Sequence, residues 1–426
     1  MTRDTAAQVY LVACDRYEPL AIREGVYAAS EALAISLNGQ RDALLHADCR
    51  WVHSRYAPSA HVHPDLIKGV AGTLPSAALT VGARSRASFP TRYSFRQAGY
   101  DRVATELNAQ LTQFDEVLTG TVELDKATIM RPKIELPCTW LEAGFTISIP
   151  KLTSSTLVPF AGAMRHFQNL LPAQLQTENH HLLPEKMVDL LSAVSPNLIV
   201  VDAIRALHKG GELSGDPVDI GVLIVGTDAV AVDMVCAVAL GLEPEQVNFI
   251  QEASVRGCGP KNLDAVSVLG DLGLEELRAR AERVKLPDPN PVNYSLPQQV
   301  TIVRSAKARD AGVSGDLTDV LLMLERAGIS LKGSRETAIV IGTVSQIPPG
   351  KSDYATIIFL DDTSRGEYSG YSRVVRLRGR NIPISQLFHE VPYAMKITNV
   401  RAELSAGYLV DKWKAGLAKM GRRLVA

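Results

Sequence analysis

The sequence predicts an α/β protein with a largely parallel sheet flanked by helices, followed by a smaller C-terminal α+β domain. Strand-like and helix-like segments alternate through the first two thirds of the chain, as in a parallel sheet covered by helices. The strand-like runs are short, rich in valine and isoleucine and bounded by turn residues, as strands buried on both faces are. A proline-rich stretch then separates this part of the chain from a shorter C-terminal tail.

Six strand-like runs build the predicted first domain. They are QVYLVACD, DALLHAD, AALTVGAR, FTISIPKL, NLIVVDAI and DIGVLIVGTD. Helical patterns follow the first run, in EPLAIREGVYAASEALAISL, and the fourth run, in VPFAGAMRHFQNLL. Crossover connections between parallel strands are right-handed. We therefore assign residues 1–285 to an α/β domain.

The linker is predicted at residues 286–297, LPDPNPVNYSLP, because its prolines fix an extended backbone and block helix formation. Residues 298–426 follow as the smaller α+β domain. Its helical pattern is LTDVLLMLERAG, and its strand-like runs are ETAIVIGTV, YATIIFLDD and YSRVVRLRG.

Composition excludes several classes of protein. The 426 residues are 46% hydrophobic and 21% charged, an ordinary globular balance, and the net charge of -1 gives no general attraction to nucleic acid. The five cysteines are scattered without CxxC spacing, which argues against a disulfide framework and favours a reducing cytoplasm. We expect no signal peptide, because the N-terminal stretch lacks a long apolar core, and we expect no transmembrane segment, because no later run is long enough to cross a bilayer.

The most informative stretch is residues 196–235, where two strand-like runs each end in a carboxylate. Asp202 ends the first run and Asp228 the second. Ligands of open α/β sheets bind outside the carboxyl ends of the strands, so both are candidate catalytic residues. Asp228 has a structural alternative, since it can cap the following helix. Lys151 follows another strand and is the third catalytic candidate, able to bind a carboxylate or phosphate; exposure at the surface is its alternative.

Several blocks of this chain resemble the family called domain of unknown function 362. They are SIPKL, FQNLL, PNLIVVDAI, GTDAVAVDMV and RGCGP, in that order. The resemblance covers roughly residues 40–270 and is strongest from 147 to 260. It implies an α/β fold and, in many relatives, association with iron–sulfur ferredoxin modules, but no reaction.

The chain departs from that family at three places. It has His46-Ala47-Asp48 where relatives commonly have Lys-Pro-Asn, and Leu152-Thr153-Ser154 where they often have a second lysine and a histidine. No cysteine follows Cys258, although cysteine-bearing tails are common in relatives. We therefore expect no iron–sulfur cluster.

Three further residues are candidates for binding a substrate. Asn169 matches the family pattern, and a helix-interior asparagine suggests a specific hydrogen bond, either to a ligand or within the core. His181, beside His180, is expected to line the crevice or to be exposed. Lys209 opens the glycine-bearing loop HKGGELSGDP, which lacks the order of a P-loop and is interpreted as a mobile loop over the site.

A metal site is a separate hypothesis. His61 and His63 have the spacing that places both side chains on one side of an extended segment, where they could bind a divalent metal such as zinc, iron or nickel. A pair of solvated loop histidines is the alternative. The sequence gives no candidate for a third metal-binding side chain.

The C-terminal segment DKWKAGLAKMGRRLVA combines basic and apolar residues. We expect a solvated helix packed on the tail domain, with contact to a partner or an anionic membrane surface as the alternative. For the whole chain, the leading hypothesis is an enzyme with a small-molecule site at the carboxyl ends of the strands. The alternative is a non-catalytic binding or scaffold protein that keeps the family fold.

Overall fold

The computed structural model of the protein describes residues 6–86, 89–305, 311–379, 382–404 and 406–425. In these residues, ten strands form one large mixed sheet, and four strands form a separate small parallel sheet nearer the C-terminus. The predicted fold class is confirmed.

The large sheet has the strand order β12-β1-β11-β10-β7-β2-β3-β4, with β8 paired to β10 and β9 paired to β8. A hairpin of β5 and β6 stands apart from it. These strands are β1 (Ala7–Ala13), β2 (Asp42–Ala47), β3 (Ala78–Ala83), β4 (Gln110–Gln113), β5 (Thr119–Glu123), β6 (Lys133–Pro137), β7 (Thr146–Ile149), β8 (Lys151–Ser154), β9 (Phe160–Ala161), β10 (Leu198–His208), β11 (Asp216–Gly226) and β12 (Val266–Gly270).

Helices cover both faces of this sheet. They are α1 (Pro19–Ala32), α2 (Pro64–Ala71), α3 (Thr91–Ala98), α4 (Tyr100–Glu106), α5 (Cys138–Leu141), α6 (Ala163–His166), α7 (Ala173–Thr177), α8 (Leu183–Leu190), α9 (Ala229–Ala239), α10 (Asn248–Val255) and α11 (Leu274–Ala281).

Strand β10 shows why the sequence folds this way. Its residues alternate between two hydrophobic cores, with Ile199 and Val201 facing one and Leu198 and Val200 facing the other. Successive side chains of a strand point to opposite faces, so a continuous run of apolar residues suits a strand covered on both sides.

Strand direction determines which side chains can meet. Strands β10, β7, β2, β3 and β4 are mutually parallel, and β1 runs the same way. Strand β11 is antiparallel to both of its neighbours, β1 and β10. The carboxyl ends of β1, β2, β7 and β10 therefore share one edge of the sheet, and β11 ends at the opposite edge.

The small sheet has the order β13-β14-β15-β16, and all of its pairs are parallel. Helices α12 and α13 pack against one face, in a core that includes Leu321, Ile339 and Phe388. Its elements are β13 (Val300–Arg304), α12 (Ala311–Arg326), β14 (Thr337–Gln346), β15 (Thr356–Glu367), β16 (Arg373–Leu377), α13 (Ile384–Ala394), α14 (Val400–Glu403) and α15 (Ala406–Val425).

The last helix, α15, does not lie where the sequence suggests. It packs on α3 of the first domain, where Tyr408 shares a small core with Tyr93, and Arg96 donates to the carboxylate of Asp411. The expectation that it packs on the tail domain is therefore wrong. The chain returns instead to a helix that covers the large sheet.

Candidate functional site

The candidate site begins with a pair of residues on adjacent strands. Lys151, at the start of β8, is the register partner of Asp202 in β10. The backbone N–H of Asp202 donates to the carbonyl of Pro150 at 2.8 Å. This bond holds Asp202 beside Lys151 at the junction between β7 and β8. The pairing of β10 with β11 shifts register just after this point, between Ala203 and Arg205. Such irregularities often re-aim side chains beside active sites.

Lys151, Asp202 and Tyr17 form a closed set of hydrogen bonds, which we call the Lys151 group. The Lys151 Nζ lies 2.8 Å from Asp202 Oδ2 and 3.0 Å from Tyr17 Oη, and Tyr17 Oη donates to Asp202 Oδ1 at 2.8 Å. Lys151 is 4% exposed and Asp202 is fully buried. A buried ammonium and a buried carboxylate are tolerated because each neutralises the other.

Tyr17 remains protonated in this arrangement. Burial and the Asp202 carboxylate raise the pKa of the Tyr17 hydroxyl far above its ordinary value, although the backbone N–H of Arg205 acts in the opposite direction. The phenol is therefore a proton donor toward Asp202 and an acceptor from Lys151. The three groups form a continuous path for a proton.

His63 forms the solvent side of the Lys151 group. Its ring stacks on Tyr17 with centroids 4.0 Å apart, and its backbone N–H approaches Asp202 Oδ2 at 3.4 Å. The His63 Nδ1 accepts from the Asp65 N–H and so caps helix α2, which assigns the ring proton to Nε2. Burial lowers the pKa of His63, against the opposing effect of Asp65 and Asp202.

His61 lies deeper than His63. Burial and the charge of Lys151 lower the pKa of its imidazole to about 3, so the ring is neutral at physiological pH. Its Nδ1 is buried without a hydrogen-bond partner. Within the described residues, no three His, Cys, Asp or Glu side chains are grouped so that they could hold a metal ion.

A second carboxylate, Asp48, lies at the carboxyl end of β2. Its Oδ2 is 2.6 Å from the Arg50 guanidinium and 3.4 Å from the backbone N–H of Lys151, and its Oδ1 accepts from Asn169 at 3.2 Å. Asn169 also contacts the Nδ1 of His166. The structure therefore uses Asn169 to fix the orientation of Asp48, beside Lys151.

The glycine-bearing loop between β10 and β11 carries a third buried carboxylate, Glu212. Three buried arginines surround it: Arg165 at 3.1 Å, Arg50 at 3.7 Å and Arg86 at 3.7 Å. We call these four residues the arginine cluster. Burial alone would raise the pKa of Glu212, but the three guanidinium groups lower it well below its ordinary value.

Helix α12 of the C-terminal part of the chain places two further carboxylates beside the arginine cluster. Asp316 lies 2.6 Å from Arg86, and Asp319 accepts from the backbone N–H groups of Leu213 and Ser214 at 3.2 and 3.0 Å. The loop that the sequence suggests is mobile is instead buried and hydrogen-bonded under the tail domain. Because Arg50 contacts both Glu212 and Asp48, charge contacts connect the tail domain to the candidate site.

The other predicted site residues lie away from the Lys151 group. Asp228 follows β11 and is therefore at the opposite edge of the sheet, where its Oδ1 accepts from the N–H groups of Val230 and Ala231 and caps α9. The expectation that Asp202 and Asp228 share one edge is wrong, because β11 runs antiparallel to β10. Lys209 and His181 are both exposed.

Sequence patterns gave no reason to select Tyr17, Arg50 or Glu212. Tyr17 and Arg50 lie in loops just beyond strand ends, and Glu212 lies in a loop whose glycines suggested motion. One signal was available, since Tyr17 and Arg50 follow the first two predicted strands and must fall at their shared carboxyl edge.

Residues 49–238 match the family model described as domain of unknown function (DUF362), a range that contains Lys151, Asn169 and Asp202. The thylakoid-associated protein sll1697 from Synechocystis sp. is 23% identical over 166 residues, or 37% of this chain. The match spans half the length of that relative.

The lactate racemase apoprotein from Thermoanaerobacterium thermosaccharolyticum is a solved structure with a partial likeness. Its TM-score is 0.35 at 13% identity, over 56% of this chain and 58% of that chain. Among the described residues, no helix is both long and apolar enough to span a bilayer. The resemblance predicted from the sequence blocks is confirmed, because residues 49–238 match the DUF362 family model.

Proposed function

We propose that this protein is an enzyme whose small-molecule site is built on the Lys151 group, at the carboxyl ends of the parallel strands. The observation that supports it best is the placement of the Lys151 ammonium between a carboxylate and a phenol, 2.8 and 3.0 Å away. Burying such a pair costs desolvation energy, and an apolar pair of similar volume often stabilises a fold equally well. A functional role accounts for that cost.

The chemistry of the group suits an anionic substrate. An ammonium has three N–H donors, and in the described part of the chain Asp202 and Tyr17 accept two of those of Lys151. The third is available to a carboxylate or phosphate oxygen. Tyr17 and Asp202 then supply a donor and an acceptor for proton transfer to or from the bound molecule.

Substrate would approach past the stacked rings of Tyr17 and His63. Both residues are partly exposed, whereas Lys151 and Asp202 are buried. The Nε2–H of neutral His63 is a further donor at this entrance. We therefore propose a small substrate that bears a carboxylate or phosphate, and a reaction that includes a proton transfer.

Ligand-induced stabilisation tests this proposal. We expect inorganic phosphate, malonate or succinate to raise the melting temperature of the wild-type protein, because a ligand that binds only the native state stabilises it. Tyr17→Phe keeps the ring and its stacking on His63 but removes the hydroxyl, and it should weaken that shift while the protein remains folded.

The matched control is Lys261→Ala, which removes an exposed lysine far from the site in sequence. Its ligand-induced shift should equal that of the wild type. Equal shifts in the wild type, Tyr17→Phe and Lys261→Ala would contradict the site. A protein that binds none of the probes and turns over no substrate would instead favour the scaffold hypothesis.

The metal hypothesis has its own test. The charge of Lys151 acts on His61, whose Nδ1 is buried and unpartnered, whereas the Nδ1 of His63 is occupied in capping α2. Elemental analysis of purified wild-type and His61→Ala protein measures whether His61 holds a divalent ion. Equal metal content in the two proteins would contradict a role for His61 as a ligand.

A further inference from the structure

Helix α15 presents its largest apolar side chains to solvent. Leu409, Trp413 and Met420 are 59%, 65% and 56% exposed. They are spaced by four and seven residues, which places them on one face of a helix. Val410 and Leu417 flank them and are exposed as well. Together these five residues form what we call the apolar stripe.

The opposite face of α15 holds the helix on the protein. Tyr408, Asp411 and Ala415 are buried there, Asp411 pairs with Arg96 of α3, and Lys419 reaches Asp115 at 3.1 Å. An amphipathic helix of a soluble domain normally turns its apolar face inward. Here the helix is fixed with the apolar stripe outward, so folding of the described chain does not bury it.

Positive charge borders the apolar stripe. Lys412 and Lys414 are exposed next to Trp413, and Arg422 and Arg423 follow in sequence. Asp411 is the sole acidic residue between Ala406 and Val425, and it faces the protein in its pair with Arg96. The solvent-facing part of the helix therefore combines apolar bulk with cations and carries no compensating carboxylate of its own.

We infer that α15 binds an anionic lipid surface, with the apolar stripe inserted at the boundary between headgroups and acyl chains. Helices of this kind lie in the membrane plane, with tryptophan and leucine buried and lysine facing the headgroups. The basic border favours anionic lipids over a neutral surface. It also disfavours a second copy of the same helix, because two such borders would repel one another.

Tryptophan fluorescence can report the insertion directly. The chain has three tryptophans, and Trp51 and Trp140 are buried in the core, so Trp413 supplies the solvent-exposed signal. The full chain is mixed with vesicles of phosphatidylcholine and phosphatidylglycerol in equal parts. We expect the emission to shift to shorter wavelength with these vesicles, and little change with phosphatidylcholine alone or at high salt.

Variants locate the interaction on α15. Leu409→Glu and Trp413→Glu should each weaken co-sedimentation with the anionic vesicles by about tenfold or more, because each places a charge in the inserted face. Trp413→Phe should keep the binding and lose the fluorescence shift. Val255→Glu is the matched control, since Val255 is 84% exposed on another helix, and it should bind like the wild type.

Three results would overturn the inference. The first is absence of wild-type binding to the anionic vesicles, and the second is binding that Leu409→Glu and Trp413→Glu leave unchanged. The third is a concentration-dependent dimer in sedimentation that Trp413→Glu abolishes, since it would assign the apolar stripe to a second copy of the chain. Circular dichroism of the variants confirms that each is folded before it is compared.

Discussion

The sequence predicts that Asp202 and Asp228 each end a strand, but Asp202 lies within β10, which continues to His208, whereas Asp228 follows the end of the neighbouring β11, and the fold gives the two residues different environments. Asp202 is fully buried and bonded to an ammonium and a phenol. Asp228 is half-buried and accepts only backbone N–H groups at the start of α9 in the contacts of the described residues. The residue type and the preceding apolar strand are alike, so the difference comes from strand direction.

The two edges of the sheet therefore have different roles. We call the edge that carries Asp202 the site edge and the edge that carries Asp228 the capping edge. Parallel strands deliver Tyr17, Asp48, Lys151 and Asp202 to one edge of the sheet, where their charges and hydroxyls meet. At the other edge, Asp228 caps α9, and Asp233 within that helix accepts from the N–H groups of Ala163 and Met164 at the start of α6. Carboxylates at the second edge have a structural explanation that needs no ligand.

The largest expected effect is at the site edge. Lys151→Met should lower the free energy of unfolding by about 3–5 kcal/mol, because it leaves Asp202 buried without its counter-charge. Chemical denaturation followed by circular dichroism measures this. In the double variant Lys151→Met with Asp202→Leu, much of the lost stability should return. A Lys151→Met protein as stable as the wild type would show that the ion pair is not buried as described.

At the capping edge, Asp233 should make stability depend on pH. Burial raises the pKa of Asp233 from 3.8 to about 7, despite the opposing N–H groups of Met164 and Ala163. The folded state therefore keeps a proton that the unfolded chain has released. This contribution to stability is full below pH 3.8 and is lost as the pH rises through about 7.

Asp233→Asn removes that dependence and keeps one of the two acceptor oxygens that receive the N–H groups of Ala163 and Met164. Relative to the wild type, the variant should gain up to about 4 kcal/mol in unfolding free energy between pH 4 and pH 8, since each pKa unit corresponds to ~1.4 kcal/mol. Urea unfolding of both proteins at the two pH values measures the difference. A difference that stays constant with pH would contradict the raised pKa.

A smaller effect is expected at Asp228. Asp228→Ala should cost about 1 kcal/mol, the usual loss for an N-cap, and Asp228→Asn should cost little because asparagine also caps helices well. Thermal unfolding of the two variants distinguishes them. A loss of several kcal/mol in both variants would give Asp228 a role beyond capping.

Much of the fold follows from the sequence. The apolar runs predicted β1, β2, β3, β7, β10 and β11 close to their observed positions, because continuous valine and isoleucine are enough to identify a buried strand. These runs do not predict the direction of β11, although the sequence contains a clue. Seven residues, 209–215, join β10 to β11, and a parallel crossover needs a dozen or more.

The candidate site was only partly predictable. Lys151 and Asp202 are predictable because each directly follows an apolar run in the sequence, and the register of the parallel strands β8 and β10 brings them together, although β10 continues beyond Asp202 to His208. Tyr17, Arg50 and Glu212 come from loops whose paths depend on tertiary packing, and Asp316 and Asp319 come from the tail domain. No local pattern in the sequence encodes the approach of α12 to the loop at 209–215.

The most direct test of the site assignment is a binding titration at the two edges. Isothermal titration calorimetry with the best-stabilising carboxylate or phosphate probe would compare wild type, the double variant Lys151→Met with Asp202→Leu, and Asp228→Asn, each verified as folded. We expect at least about tenfold weaker binding for the double variant, a loss of ~1.4 kcal/mol or more, because the ammonium that would bind the anion is gone, and unchanged binding for Asp228→Asn. Unchanged binding for the double variant, or a loss confined to Asp228→Asn, would contradict the site assignment.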